Sequence, residues 1–577
     1  MPPGKDIRTC AGDIVDALVA HGVDYLFCNL GTDHAPLIEE LARRLERGLP
    51  SPRTVLCPHE NTAVHMAAGY AWQTGRAQAV LVHVDAGTAN AAMGLHNLAR
   101  TRLPLLLFAG RAPFSSRAGL AGERNSYVNF VQEPFDQASL VRPYVKWDYN
   151  IPDASLAGEA VARALERANS VPQGPVYLTA ARETLAQEVA AATPEPYARA
   201  SASAGGGSHE AVRELASRLI AAKSPLLLTA YAGRQSRNVE LLETLATLCG
   251  IRVVEFTPHS VNLPHGSPCH GGFVPQPYVA QCDVGLLVDI DVPWVPALVQ
   301  PAGDSWWGHI DSDVEKSGFP LWSFPGDLRM QGDSATILAQ LIAEIRSRED
   351  DEFHARVRDR MDGLVQDRER RLAASRQAAS PRGEHRRLNP SFVLAALSGM
   401  LQGDDVVLNE AVRNAGIVFE QMPRSQPLTR VGPSGGGLGY SAGMAMGIRL
   451  AKPGATVVSV VGDGVAYFGN PSSALAVGMR YKLPTLTVIL DNGGWAAVKE
   501  ATGKVYPTGH AARLGAWEAD LGRQTDFALL AQAAGAFGAT LEDPEQVKDV
   551  LAAALAQVRA GCPAVVHVHI APFEETR

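Results

Sequence analysis

The stretch VVGDGVAYFGN, residues 460–470, decides how the chain is read. Val458, Val460 and Val461 form an apolar run that stops at Gly462-Asp463-Gly464 and resumes beyond it. Glycine and aspartate tolerate turn conformations, so these residues suit a tight turn. They equally suit a phosphate and metal site at the carboxyl end of a strand, because a following helix start offers free N–H groups and a positive dipole end. The motif alone leaves both readings open. The surrounding chain has to choose.

Downstream, PSSALAVGMRYKLP has helical spacing, TLTVIL reads as a strand, and DNGGW reads as the turn after it. Neighbouring strands of a parallel sheet end on the same side. Asp463 and Asn492 therefore meet at the carboxyl edge, where open α/β sheets bind ligands. A carboxylate, an amide oxygen and a backbone carbonyl make the hard oxygen site that Mg²⁺ takes together with phosphate oxygens and water.

Upstream the same alternation repeats. VDYLFCNL, RTVLCP, AQAVLVHV and LPLLLFAG are β-rich runs, each followed by a segment with helical spacing. Strands alternating with helices predict parallel sheets covered on both faces. The alternation breaks at ATPEPYARASASAGGGSHE, a linker without periodicity. It resumes with PLLLTAYAG, GIRVVEFTP and CDVGLLVDI, and breaks again in the charge-dense run after Ser347, which reads as a solvated helix and connector without an apolar face. A last block carries DDVVLNE, ATVVSVVGDG, PTLTVILDNGG and PAVVHVHI. The fold class expected is α/β, with three doubly wound parallel-sheet domains over residues 1–190, 208–347 and 388–577.

Composition narrows the function. The 577 residues, 46% hydrophobic and 19% charged, describe an ordinary globular chain too long for one core. A net charge of −8 implies no basic face for nucleic acid. No apolar run is long enough for a membrane span. Asp6, Asp13 and Asp16 stand where a signal peptide needs an apolar stretch, so a cytoplasmic location is expected. The seven cysteines lack metal-ligand spacing and read as reduced thiols. In HGSPCHGG, His265, Cys269 and His270 lack the second ligand cluster that structural zinc requires.

GDG followed some 25 to 30 residues later by an Asn-containing turn resembles thiamine-diphosphate enzymes, in the acetolactate synthase and benzoylformate decarboxylase branch. The resemblance covers nearly the whole chain and implies pyrimidine-binding, central and diphosphate-binding domains in that order. It implies that Asp463, Asn492 and the Gly494 carbonyl hold Mg²⁺, with Gly462 and Gly464 against the diphosphate. The chain departs from the family at Asp491, where Asn is usual, and at Val465, where Ser is usual.

CPHENTAVHMAAGYAWQTG resembles the family's His-Glu pattern, with Ala63, Ala67, Gly69, Tyr70, Ala71, Thr74 and Gly75 in step. Glu60 is then the carboxylate that activates the cofactor through its aminopyrimidine. The reading from residues alone is that Glu60 complements a helix N-terminus. In GPSGGGLGYSAGMAMG, by the same resemblance, the Gly436 carbonyl accepts from the pyrimidine amino group and Leu438 wedges the cofactor into its bent form. Glu410, which closes DDVVLNE, joins the cofactor-binding set.

His83 lies four residues before Gly87, as a proton-transfer histidine does in benzoylformate decarboxylases. The alternative is a satisfied histidine at a strand end. Gln132, in a run like that of acetolactate synthases, is a weaker positioning candidate. Val498 stands where pyruvate decarboxylases place a Glu. Thr32, Asp33 and His34 replace a loop over the family's active site, serving either a polar substrate end or no substrate at all. FAD, carried by acetolactate synthases, is expected to be absent, and the chain ends without a long C-terminal lid. The resemblance implies a lyase or carboligase that acts next to the carbonyl of a 2-oxo acid or aldehyde. Non-oxidative decarboxylation through an enamine is the first reading, acetolactate synthase-like transfer the second, and a non-catalytic binding relative the third. A homo-oligomer, dimer or tetramer, follows from the family's shared active sites.

Overall fold

The computed structural model describes residues 8–116, 119–189, 204–433 and 435–573. Most of the linker expected before residue 208 lies outside them. The described chain is built on three parallel sheets. The first holds β1 (Tyr25–Asn29), β2 (Arg53–Leu56), β3 (Gln78–Val82), β4 (Leu105–Arg111), β5 (Asp148–Ile151) and β6 (Pro175–Ala181), in the order β2-β1-β3-β4-β6-β5. The central sheet holds β7 (Pro225–Thr229), β8 (Arg252–Glu255), β9 (Val284–Val288), β10 (Trp306–Asp311) and β11 (Leu328–Gln331), in the order β11-β10-β9-β7-β8. The last holds β12 (Val406–Glu410), β13 (Arg430–Val431), β14 (Val457–Gly462), β15 (Leu486–Asp491), β16 (Phe537–Leu541) and β17 (Ala564–His569), in the order β13-β12-β14-β15-β17-β16. The first and last sheets thus share one strand order. Strands such as β3 are buried along their whole length, which explains why they read as continuous apolar runs.

Four helices position the site, α1 (Glu60–Thr74), α2 (Val84–Thr101), α4 (Ser441–Ala451) and α5 (Asp463–Phe468), while α3 (Asp351–Ala378) packs on the central domain. Helix α3 corrects the expectation of a charged helix without an apolar face. Phe353 and Leu364 are buried in the central core, with Val357 and Met361 packed beside them. Their three- and four-residue spacing is a stripe that the density of charge hides in the sequence.

The first and last domains meet along α1 and α4, backbone against backbone. A Cβ on Gly69 would stand 2.0 Å from the Met444 carbonyl oxygen, and one on Gly447 would stand 2.0 Å from that of Met66. Cross-domain hydrogen bonds continue the contact. Asn61 Nδ2 donates to the Gly439 carbonyl (3.1 Å), and Thr62 and Ser473 share a hydroxyl bond (2.9 Å). The central and last domains are tied by Arg430, which donates to Glu255 Oε2 at 2.9 Å in full burial. His270 pairs with that same Glu255 oxygen, which gives this histidine a structural partner.

Gly447→Ala is expected to destabilise the protein by about 1–3 kcal/mol, because the added methyl has no space to enter and the helices must separate. Chemical denaturation followed by tryptophan fluorescence checks this. An unchanged midpoint would mean the two helices are not in backbone contact.

Candidate active site

The sequence-predicted residues gather in two groups, one on each of the two six-stranded sheets. In the first domain, α1 begins at Glu60. His59 supplies the N-cap, its Nδ1 accepting from the Asn61 N–H at 3.1 Å. Glu60 is 7% exposed. Its Oε2 accepts from Asn90 Nδ2 at 3.1 Å, while a Cβ on Gly87 would come within 3.3 Å of Oε1. Asn90 locks one oxygen, and Gly87 keeps space beside the other.

His83 closes β3 and precedes α2, and its side chain keeps 24% of its surface exposed. Its Nδ1 makes a short hydrogen bond with the Asp33 carboxylate, and the Gln132 side chain lies near the same imidazole. The next residue, Val84, sits at φ 21°. A β-branched side chain avoids positive φ, so this turn is held by its surroundings. The sequence marked Asp33 only as part of the unusual Thr32–His34 stretch, because its partner His83 is 50 residues away and only the fold joins them.

In the last domain, Gly462-Asp463-Gly464 ends β14 and opens α5, so the turn and ligand-site readings describe the same residues. Asp463 is 5% exposed, with the backbone N–H groups of Asp463, Gly464 and Asn492 near its carboxylate. Its Oδ2 has no protein partner. Burial, helped by the nearby charge of Asp491, lifts this carboxyl to about 7. An orphaned buried carboxylate oxygen is costly and calls for a cation or proton. Asn492 and Gly494 stand across from it, in a cavity of about 320 Å³ shared with Leu438, Gly462 and Trp495. These oxygens fit a small hard cation with phosphate.

The turn around Asn492 is braced from behind. Asp491 accepts from the Gly493 N–H (2.7 Å) on one oxygen and pairs with His567 Nε2 (2.7 Å) on the other. Burial would raise Asp491, but the bond and charge of His567, the Gly493 N–H and the charge of Arg523 together outweigh it and hold the carboxyl below its usual range. Asp491, His567 and His569 could place ligand atoms within 4.8 Å of one another, yet both Asp491 oxygens are already engaged in shaping this loop. A pairing between residues 76 positions apart leaves no sequence signature.

Glu410 lies behind the glycine loop. Its Oε1 accepts from the N–H groups of Gly439 and Tyr440, and Oε2 accepts from Ser441, so the carboxylate caps α4. Gly436, at φ 101°, occupies backbone space that suits glycine. Val465 is buried against Val461, Leu475 and Ile489, so its side chain serves the core at the position where a hydroxyl was expected. The metal cavity is lined by residues 411–498 only. Glu60, His83 and Gln132 form a separate half. A further cavity of about 770 Å³ opens at the carboxyl edge of the central sheet, beside Tyr231, Arg234, Asp289 and Ser334.

Comparison with known proteins accounts for both halves. Residues 8–140 match the description "Thiamine pyrophosphate enzyme, N-terminal TPP binding domain", and residues 414–568 match the C-terminal TPP binding domain of the same enzymes. The chain is 25% identical over 510 residues to benzoylformate decarboxylase of Pseudomonas aeruginosa, covering 85% of this chain and 88% of that one. It is 24% identical over 518 residues to the acetolactate synthase isozyme 3 large subunit of Escherichia coli, covering 88% and 86%. In fold it is similar to the thiamine diphosphate-dependent 4-hydroxybenzoylformate decarboxylase of Rhodococcus jostii, with a TM-score of 0.79, 23% identity, and coverage of 98% and 100%.

Proposed function

We propose, for a chain that belongs to the thiamine pyrophosphate enzymes and to their benzoylformate decarboxylase and acetolactate synthase branch, a Mg²⁺-dependent lyase that decarboxylates a 2-oxo acid without oxidation. The observation that carries this reading is the buried, unpartnered Oδ2 of Asp463 facing Asn492 and Gly494 in one cavity with Leu438. Asp463, Asn492 and the Gly494 carbonyl would hold Mg²⁺, and Gly462 and Gly464 would border the diphosphate. Leu438 and Gly436 would shape the bound cofactor, and Glu410 sets the loop that carries them. When bound, thiamine diphosphate supplies a carbon that adds to the substrate carbonyl and takes the electron pair left by the departing carboxylate. Glu60 exchanges a proton with the pyrimidine from a site where little water competes. His83 handles the proton at the reacting carbon, with Gln132 orienting its ring.

Glu60, His83 and Gln132 do not line the metal cavity of their own chain, and each half bears exposed apolar side chains. Phe130 is 56% exposed near Gln132, and Phe468 is 52% exposed near Asp463. A second copy that joins Glu60 of one chain to the metal cavity of the other completes the site, giving a dimer or a pair of dimers. The central cavity takes no flavin in this reading, so the purified protein is expected to show no visible flavin absorption band. A cytoplasmic place fits the small soluble substrates proposed; no helix among the described residues is long and apolar enough to cross a membrane.

The test is a panel of aryl and alkyl 2-oxo acids with thiamine diphosphate and Mg²⁺, following CO₂ and aldehyde. Aldehyde in step with CO₂ supports the lyase. Carbon ligation to a second 2-oxo acid would move the acetolactate synthase-like reading, kept second here on the similarity to that E. coli subunit, to the front. Well-folded protein that binds the cofactor but turns nothing over would leave a non-catalytic relative.

A further inference from the structure

The first half of the site contains a second buried acid beside the histidine. Asp33 is 3% exposed on the turn Thr32–His34 that follows β1. One of its oxygens bonds His83 Nδ1, and the other accepts from the Val84 N–H at 3.2 Å, so a single carboxylate holds both the ring and the strained turn behind it. Space for this pair is cleared on two strand ends. A Cβ on Gly31 would stand 1.8 Å from His83 Nδ1, and one on Gly110 would stand 1.7 Å from Asp33 Oδ2. Any side chain at either glycine would collide with the dyad.

The surroundings leave His83 as the counter-charge of Asp33. His34 is fully buried with its Nδ1 3.3 Å from Asp33, but that nitrogen is already engaged in accepting from the Gly31 N–H at 3.1 Å. Arg182 spends its guanidinium on the carbonyls of Thr32, Gly122 and Glu123 and on Asn125. Asp85, on the helix that follows His83, adds a further negative charge.

We propose that Asp33 is a positioning residue that anchors His83 by Nδ1 as an imidazolium, so that its Nε2–H acts as the acid that ends the reaction. This rests on the proton-transfer role proposed for His83. In the net step a 2-oxo acid anion and one proton give CO₂ and an aldehyde. The bond to the carboxylate breaks, a C–H bond forms with the Nε2 proton, and the neutral imidazole regains a proton from water. Charge supports the geometry. Burial would raise Asp33, but the His34 and His83 rings beside it together hold it well below the usual carboxylate range. His83 is raised, chiefly by Asp33. An acid works only while protonated, so a raised imidazole extends activity toward alkaline pH. Loss of the partner charge must draw that limit back down.

The experiment compares wild type, Asp33→Asn and Asp33→Glu as holoenzymes. Two readouts are followed against pH: kcat/KM, and diethylpyrocarbonate modification of His83 measured by peptide mass spectrometry. In Asp33→Asn both midpoints should move down by about one pH unit or more, with kcat at neutral pH falling at least about tenfold and KM changing little. Asp33→Glu keeps the charge and should keep the modification midpoint near wild type. It also tests the idea if the Asn variant does not fold, since a Glu variant shifted like an uncharged one would overturn it. An unmoved His83 midpoint in Asp33→Asn overturns the pairing. A midpoint that moves while the rate profile stays fixed overturns the acid role of His83 and leaves the pairing purely structural.

Discussion

Glu60→Gln is expected to lower kcat by about 10²–10⁴-fold, the usual contribution of one positioned proton-transfer group. The substitution keeps size and shape. The amide oxygen can still accept from Asn90 Nδ2, and Gly87 still clears the space beside the other atom, so packing at the start of α1 survives. What is lost is the ability to share a proton. Cofactor affinity measured by calorimetry should therefore change by less than about tenfold while the rate collapses. Unchanged turnover would remove Glu60 from the chemistry and return it to the role of a helix-start acid. A collapse of binding and rate together would point instead to damage at the helix start.

Asp463→Ala is expected to weaken Mg²⁺-dependent binding of thiamine diphosphate by at least about 10²-fold, more than is usual for a residue that only supports a metal ligand. Its effect on the free protein should be opposite in sign. Asp463 is lifted to about 7 by burial and by Asp491. A carboxyl raised on folding costs stability as pH climbs from its unfolded value through the folded one. Removing it should leave the melting temperature of the cofactor-free protein at pH 7 equal or higher. Calorimetry and thermal melts on the same samples separate the two effects. Cofactor binding that survives the change would move the metal elsewhere in the cavity.

Much of this was legible before the structure. Strand runs such as TVVSVV and TLTVIL are buried on both faces of a parallel sheet, so their composition identifies them without periodicity. Asp463 and Asn492 could be brought together from topology alone, because adjacent parallel strands end on one side. The apolar stripe of α3 was hidden because Phe353, Val357, Met361 and Leu364 are diluted by charged neighbours. The partners of Asp33, Asn90 and His567 escaped notice for a different reason. Each acts on a residue far away in sequence, so even where the residue itself was marked, as Asp33 was within the Thr32–His34 stretch, its pairing had no signature. Glu410 was picked out as a cofactor residue, whereas its hydrogen bonds show what it does within the chain: it caps α4 and fixes the glycine loop.

The contact between α1 and α4 also bears on which changes of length the chain can accept. Each helix starts at a piece of the site, Glu60 for α1 and the glycine loop for α4, and each presents a glycine to the other nine residues or fewer into the helix. Adding or deleting one residue between Glu60 and Gly69, or between Ser441 and Gly447, turns the rest of that helix by about 100° and replaces the glycine at the crossing with a bulkier neighbour. The loop at 297–304 carries no such register. In a library of single-residue insertions and deletions, variants should survive in that loop and vanish from the two short windows, although the windows contain few residues that would touch a substrate.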